Sequence, residues 1–368
     1  MVLTILITFV SLIGLIVLHE LGHFLLAKKF GVKVEEFGIG YPPRLIGKKI
    51  GETIYSINLL PFGAFVKIKG EEGGIEDYQS FVGKPMWQRI LIVLGGVVSF
   101  WVVAAIILTF VAGIWGLPMA VNDEENHNLV DPNVQIVGVA DHSPASEVGL
   151  KVGDVIIGLE FDEENLTTSR VGEIQEFIQR HRGKEIILTI KRDQEILKKN
   201  LIPRDSPPEG EGPIGVALAR IALKSYPWYQ APVQGIITTG SLTANIVGGW
   251  IMGLKNLLGI AKLPPGVKLE FMGPLGIFDL LRKYYARGIN YFLYLISMIS
   301  VGVALVNILP IPALDGGKLM FLGIEIIRKK PVSEKIEQNV TAIFFALLII
   351  LMIYITIKFD IPRVFLKS

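Results

Sequence analysis

The sequence predicts a polytopic α-helical membrane protein: four transmembrane helices, a small membrane-associated β-sheet and one inserted α+β domain. Three observations lead there. Hydrophobic residues make up 51% of the 368 residues and charged residues only 19%, with mean hydropathy +0.51, which is too apolar for one soluble domain. Four long runs are nearly free of charge, each close to the roughly 20 residues that span a bilayer. From Asn122 to Pro203 the composition turns soluble. The net charge of +2 predicts no nucleic-acid partner, and with no cysteine neither a disulfide framework nor a thiolate metal site can form.

Residues 1–27 read as the first span. Val2 to Leu18 carries no charge and runs into His19-Glu20-Leu21-Gly22-His23. It lacks the basic start and small-residue cleavage site of a signal peptide, so it is expected to be retained. On a helix, histidines four apart project from one face and can hold one zinc ion, while Glu20 sits beside the position where water would bind. Two satisfied histidines in an apolar core are the plainer reading, and they would need no third partner. Ionisable groups inside a span are costly, however, and mark functional sites.

Residues 28–87 leave the membrane at Lys28 and Lys29 and read as a cytoplasmic-side sheet and loop. Short strand-like pieces, Arg44 to Lys49, Thr53 to Leu60 and Ala64 to Lys69, are separated by Gly and Pro. A sheet edge here could bind an extended substrate by strand addition; Thr53 to Leu60 is the longest candidate edge, with Tyr55 and Ile57 as candidate substrate-binding residues. The acidic patch Glu71, Glu72, Glu76 and Asp77 reads as a solvated loop. Residues 88–119 form the second span, in which Gly95 and Gly96 would let the first span approach closely.

Residues 120–225 form the extracytoplasmic domain, with a core at about 127–203. Val134 to Ala140 reads as a strand, Ser143-Pro144-Ala145 opens a short helix, and Gly149-Leu150-Lys151-Val152-Gly153-Asp154 turns into the strand Val155 to Phe161. An amphipathic helix from Arg170 to Arg182 and a hairpin from Glu185 to Ile202 complete it. The pattern resembles a PDZ domain of the bacterial type, which implies binding of an extended chain end. His127, His142 and His181 are expected on its surface rather than on a metal.

Residues 226–286, apolar but broken by Pro232, glycines, Asn245 and Lys255, are expected as helices on the membrane surface and a linker. Residues 287–317 form the third span and lead into Asn307-Ile308-Leu309-Pro310-Ile311-Pro312-Ala313-Leu314-Asp315-Gly316-Gly317. Asp315 is the natural third metal ligand, and Asn307 either holds the loop or contacts substrate. Residues 318–368 supply a cytoplasmic loop with Arg328-Lys329-Lys330, a fourth span and a tail. His23 and Asp315 each lie at the C-terminal end of a span, so these two spans must run in the same direction.

His-Glu-x-x-His in the first span, a PDZ-like domain after the second and Asn-x-x-Pro-x-Pro-x-Leu-Asp-Gly-Gly after the third together resemble the site-2 protease family, in its bacterial regulator-of-sigma-E protease branch and single-PDZ form. The resemblance covers nearly the whole chain. It implies a zinc intramembrane endopeptidase of the bacterial inner membrane, with the N-terminus and PDZ domain extracytoplasmic. Its substrates would be membrane-anchored proteins such as anti-sigma factors, already cut once by another protease. It also implies that the strand-rich segment after the first span is a membrane-reentrant sheet that binds substrate. The family's Gly-Pro-x-x-Asn stands here as Gly95-Gly96-Val97-Val98-Ser99, its Gly-Phe-Gly as Gly40-Tyr41-Pro42, and Lys318 replaces the histidine that many members carry. His19, His23 and Asp315 would hold Zn2+, with Glu20 as general base. A catalytically silent membrane PDZ scaffold and an ion transporter are the rival functions; the intact Glu20 argues against the first and the motif's spacing against the second.

Overall fold

The computed structural model describes residues 2–71, 77–125, 129–192, 195–261, 263 and 271–366. Helix α1, Val2–Lys29, carries the histidine motif near its C-terminal end, where Lys28 and Lys29 complement the helix dipole. Helix α2, Met86–Ile114, opens after Pro85, which cannot continue a helix backwards. The two helices touch backbone to backbone. A Cβ on Gly22 would strike the Gly95 carbonyl, and one on Gly95 would come within 2.8 Å of the Gly22 oxygen, so both positions need glycine. Gly95 and Gly96 thus face the first helix, as their pairing in the sequence predicts. His23 faces Gly96 and Ile92, while Leu15 packs in one cluster with Val97 and Phe100, so α1 and α2 run antiparallel.

Between them lie strands β1, Val34–Ile50, and β2, Thr53–Ile68. Each is long enough to bend and pair twice. Glu36–Ile39 pairs on one side with Ala64–Lys67 in antiparallel register and on the other with Ile54–Ile57, and Arg44–Ile50 pairs with Thr53–Asn58. The sheet therefore has Ala64–Ile68 at one edge and Arg44–Ile50 at the other. This corrects the expectation for Thr53 to Leu60: its first six residues lie inside the sheet, so Tyr55 and Ile57 offer no free backbone edge. Glu36–Ile39, which composition does not mark as a strand partner, covers that strand on its second side.

Helix α2 ends at Ile114 rather than near Met119, because Gly116 turns the chain at φ +88° and Leu117–Ala120 forms strand β3. The inserted domain follows with β4 (Leu129–Val139), α3 (Pro144–Glu147), β5 (Val155–Phe161), β6 (Glu164–Leu166), α4 (Val171–Arg180), β7 (Ile186–Arg192), β8 (Glu195–Leu201) and β9 (Val216–Lys224). Its sheet has the order β3-β9-β4-β5-β7-β8, with β6 paired to β5. Ile174, Phe177 and Ile178 on one face of α4 pack onto Val134, Ile136, Ile156, Leu159 and Leu188. The Gly-Asp turn is explained by Asp154, which accepts from the Lys151 amide at 2.8 Å and from Arg192 in bidentate fashion at 2.7 Å. Strand β9 lies beyond the expected core, and by pairing with both β3 and β4 it ties the domain to the end of α2. His181 is not on the surface but buried between Phe161 and Phe177, its Nδ1 donating to the Phe177 carbonyl at 2.9 Å. His142 is exposed, and His127 lies outside the described residues, as do Glu72 and Glu76 of the acidic patch.

Helix α5, Ala231–Leu257, corrects a second expectation. It does not lie across the ends of the spans but runs lengthwise and antiparallel along α2. Ala231 meets Gly113, Gly235 meets Ala105 and Thr109, and Trp101 Nε1 donates to Thr243 Oγ1 at 3.1 Å. Gly235 leaves no room for a Cβ, and that close approach, rather than an amphipathic pattern, decides where the helix goes. The chain continues through α6 (Pro274–Arg287), α7 (Ile289–Asn307), α8 (Asp315–Arg328) and α9 (Glu334–Ile355), followed by π-helical turns at Thr356–Asp360 and Pro362–Leu366. Ser300 Oγ on α7 donates to the Phe100 carbonyl of α2 at 2.8 Å, and α7 also contacts β3 beyond the far end of α2. Helix α7 is thus antiparallel to α2 and parallel to α1. Among the described residues four helical stretches are long and apolar enough to cross a membrane: Thr4–Lys29, Met86–Ile114, Ile289–Asn307 and Glu334–Phe365.

Candidate metal centre

Two elements distant in sequence converge at one point. His19 and His23 sit one turn apart on α1, and Asp315 begins α8, where a carboxylate is favoured by the helix N-terminus. The rings are fixed from opposite sides. His23 Nδ1 lies 3.0 Å from the Ile92 carbonyl, which can only accept, so Nδ1 carries the proton and Nε2 keeps a lone pair. The His19 ring stacks on Phe100, with centroids 4.7 Å apart and planes at 17°. A Cβ on Gly96 would overlap the His23 ring, so this glycine makes the space the ligand occupies.

His19 Nε2 and His23 Nε2 are 3.3 Å apart, and Asp315 Oδ2 lies 3.3 Å from the first and 3.5 Å from the second. Three ligands of a tetrahedral zinc ion with bonds of about 2.0–2.2 Å stand about 3.3–3.6 Å from one another. The donor set therefore fits zinc. The chemistry agrees: among the described residues Asp315 Oδ2 is buried without a hydrogen-bond partner, and lone pairs turned onto a common point repel unless a cation lies between them.

Glu20 stands next to the ligands on α1, and its Oε2 accepts from the backbone amide of Val66 at 3.0 Å. The carboxylate is thereby held against the sheet edge Ala64–Ile68 and can still exchange a proton. Tyr55 and Ile57 lie on the inner strand, away from that edge. Asn307 ends α7, half-buried, and among the described residues its carboxamide has no side-chain partner. Two ion pairs frame the site. Lys318 pairs with Glu71, and Arg89 on α2 binds Glu325 on α8 through two bonds of 2.8 and 3.1 Å. Burial opposes the charge on Lys318, yet Glu71 and Asp315 hold its pKa above the usual lysine value. Sequence reading had no signal for the Val66 amide or the Ile92 carbonyl, since backbone groups are the same at every residue. Glu71 was visible as part of an acidic run, but its partner lies 247 positions away.

Residues 7–351 match the pattern of Peptidase family M50. The chain belongs to that family. A candidate zinc metalloprotease of Clostridium perfringens is 33% identical to this M50 peptidase over 94% of this chain and 95% of its own length. The regulator of sigma-W protease RasP of Bacillus subtilis is 28% identical over 98% of this chain and 99% of its own. The PDZ domain of an SdrC-like protein from Listeria monocytogenes matches 26% of this chain and 92% of that chain, at 21% identity and a TM-score of 0.20. This M50 peptidase is a zinc metalloprotease of the site-2 type, and a protein is its substrate.

Proposed function

We propose that the protein is an intramembrane endopeptidase in which His19, His23 and Asp315 hold the zinc ion and Glu20 is the general base. The observation that carries this is the convergence of three metal-type donor atoms 3.3–3.5 Å apart beside a carboxylate held by a sheet-edge amide. Bound zinc supplies Lewis acidity and lowers the pKa of water toward about 7. Glu20 accepts the proton of the attacking water and returns it to the leaving amine, moving it between two sites without changing its own anchor on Val66.

The substrate class follows from the surroundings. A peptide bond in a membrane helix is shielded by its own hydrogen bonds, and each group freed from them costs several kcal/mol in lipid unless a new partner is supplied. The edge Ala64–Ile68, next to Glu20, offers such partners to an unwound chain without reading its side chains. The substrates are read as membrane-spanning segments of single-span proteins, and the likeness to the regulator of sigma-W protease, not the geometry, supports anti-sigma factors already cut once by another protease as their class. The inserted domain supports this role as a PDZ module. A groove between α4 and β9, lined by Gln175, Ile178, Ile214, Val216 and Leu218, would be the place for an extended chain end. Lys28, Lys29, Lys33, Lys48 and Lys49 in one segment and Arg328 to Lys330 in another favour a cytoplasmic metal-bearing end in the bacterial inner membrane.

Reconstitution with single-span substrates tests the proposal. Cleavage is expected to stop when the metal is chelated and to return with added zinc. Cleavage that persists in metal-free protein would overturn it.

A further inference from the structure

The turn that ends the edge strand and the helix that carries Asp315 are joined by an ion pair. Glu71 follows Gly70, which takes φ +72°, and its amide donates to the Ile68 carbonyl at 3.2 Å, so its side chain is placed at the end of Ala64–Ile68. Lys318 lies in the first turn of α8, three residues after Asp315 and on the same side of the helix. Its ammonium donates to Glu71 Oε1. Both side chains are partly withdrawn from water, at 34% and 18% exposure, so the pair is less screened than a fully exposed one. Farther along α8, Glu325 is fixed to α2 by Arg89. Helix α8 is thus held to α2 at one end and to the sheet at the other.

We propose that the Glu71–Lys318 pair sets the spacing between the sheet edge and Asp315, which makes Lys318 a positioning residue for hydrolysis. The proposal rests on the protease reading of the same site. A substrate strand has two requirements to meet at once: its amides must match the ladder of Ala64–Ile68, and its scissile carbonyl must reach the point on which His19, His23 and Asp315 converge. The edge belongs to β2 and Asp315 to α8, so the fit depends on how those two elements are held. An error of about 1 Å in such an alignment costs on the order of a hundredfold in rate. A charged clasp beside both parts fixes them without contacting the reacting atoms.

The test uses the full-length, zinc-loaded protein and a single-span substrate, comparing Lys318→Met, Glu71→Gln, the double variant and Lys318→Arg. Methionine keeps the aliphatic stem and removes the charge. The expected result is a kcat lowered on the order of ten- to a hundredfold in each neutral variant. KM and zinc content should stay unchanged, the double variant should be no worse than either single one, and Lys318→Arg should restore most of the rate. Normal kcat in Lys318→Met, additive losses in the double variant, or loss of zinc alongside activity would each overturn the clasp. Should Lys318→Met fail to fold, Glu71→Gln decides, because it preserves shape at the partner position. Wild-type protein that binds zinc and cleaves nothing would instead remove the protease reading on which the clasp depends.

Discussion

His19 and His23 are legible in the sequence because a helix repeats every 3.6 residues, so a spacing of four puts both rings on one face. Asp315 is legible as a carboxylate where a membrane helix ends among prolines and glycines. What holds these groups is not legible. The Ile92 carbonyl that sets the His23 tautomer and the Val66 amide that anchors Glu20 are backbone atoms, placed by packing alone. The different duties of Glu20 and Asp315 give a direct prediction. Glu20→Gln keeps the three ligands and loses the base, so zinc content should stay at the wild-type level while the rate falls on the order of a hundred- to ten-thousandfold. Asp315→Asn removes an anionic ligand, so zinc should be lost together with activity. Metal analysis and cleavage measured on the same preparations separate the two, and full activity in the Glu20 variant would remove it as base.

Helices α1, α2, α7 and α9 announce themselves by length and hydropathy, whereas the pairing of the sheet cannot be read from composition. Phe37 and Ile39 alternate with Glu36 and Gly38, but glycine weakens the strand signal, and it is this segment that moves Thr53–Asn58 to the interior and leaves Ala64–Ile68 at the edge. Helix α5 departs from expectation for a related reason: Pro232 and the glycines interrupt the apolar run in isolation, but Gly235 provides close contact once α2 lies alongside. The edge assignment can be tested at Ala64. The alternation of a strand puts its amide on the same side as that of Val66, the side on which Glu20 stands and a substrate strand would add. Ala64→Pro deletes that donor and should cut cleavage far more than Ala64→Gly, with zinc content and detergent stability as fold controls. Equal rates in the two folded variants would rule out strand addition at this edge.

At the scale of the whole molecule, α1 and α7 run in the same direction while α2 runs against both, so both metal-bearing helix ends lie on one side and the inserted domain on the other. The chain contains no cysteine, which makes labelling unambiguous. Glu209→Cys, exposed on the inserted domain, should react with an impermeant maleimide from outside intact cells, and Lys329→Cys only after permeabilisation. Labelling in the reverse order would invert the proposed orientation. The joining of His19 and His23 to Asp315 also bears on how the enzyme is made. The first two ligands leave the ribosome early, and the third follows only after two more candidate spans and an entire folded domain. Until α8 emerges, the nascent chain would hold the proposed base and two of the three proposed ligands, without the carboxylate that completes the set. A protease of the proposed kind, acting on membrane helices, would thus pass most of its own biosynthesis, surrounded by other newly inserted helices, without the power to cut them.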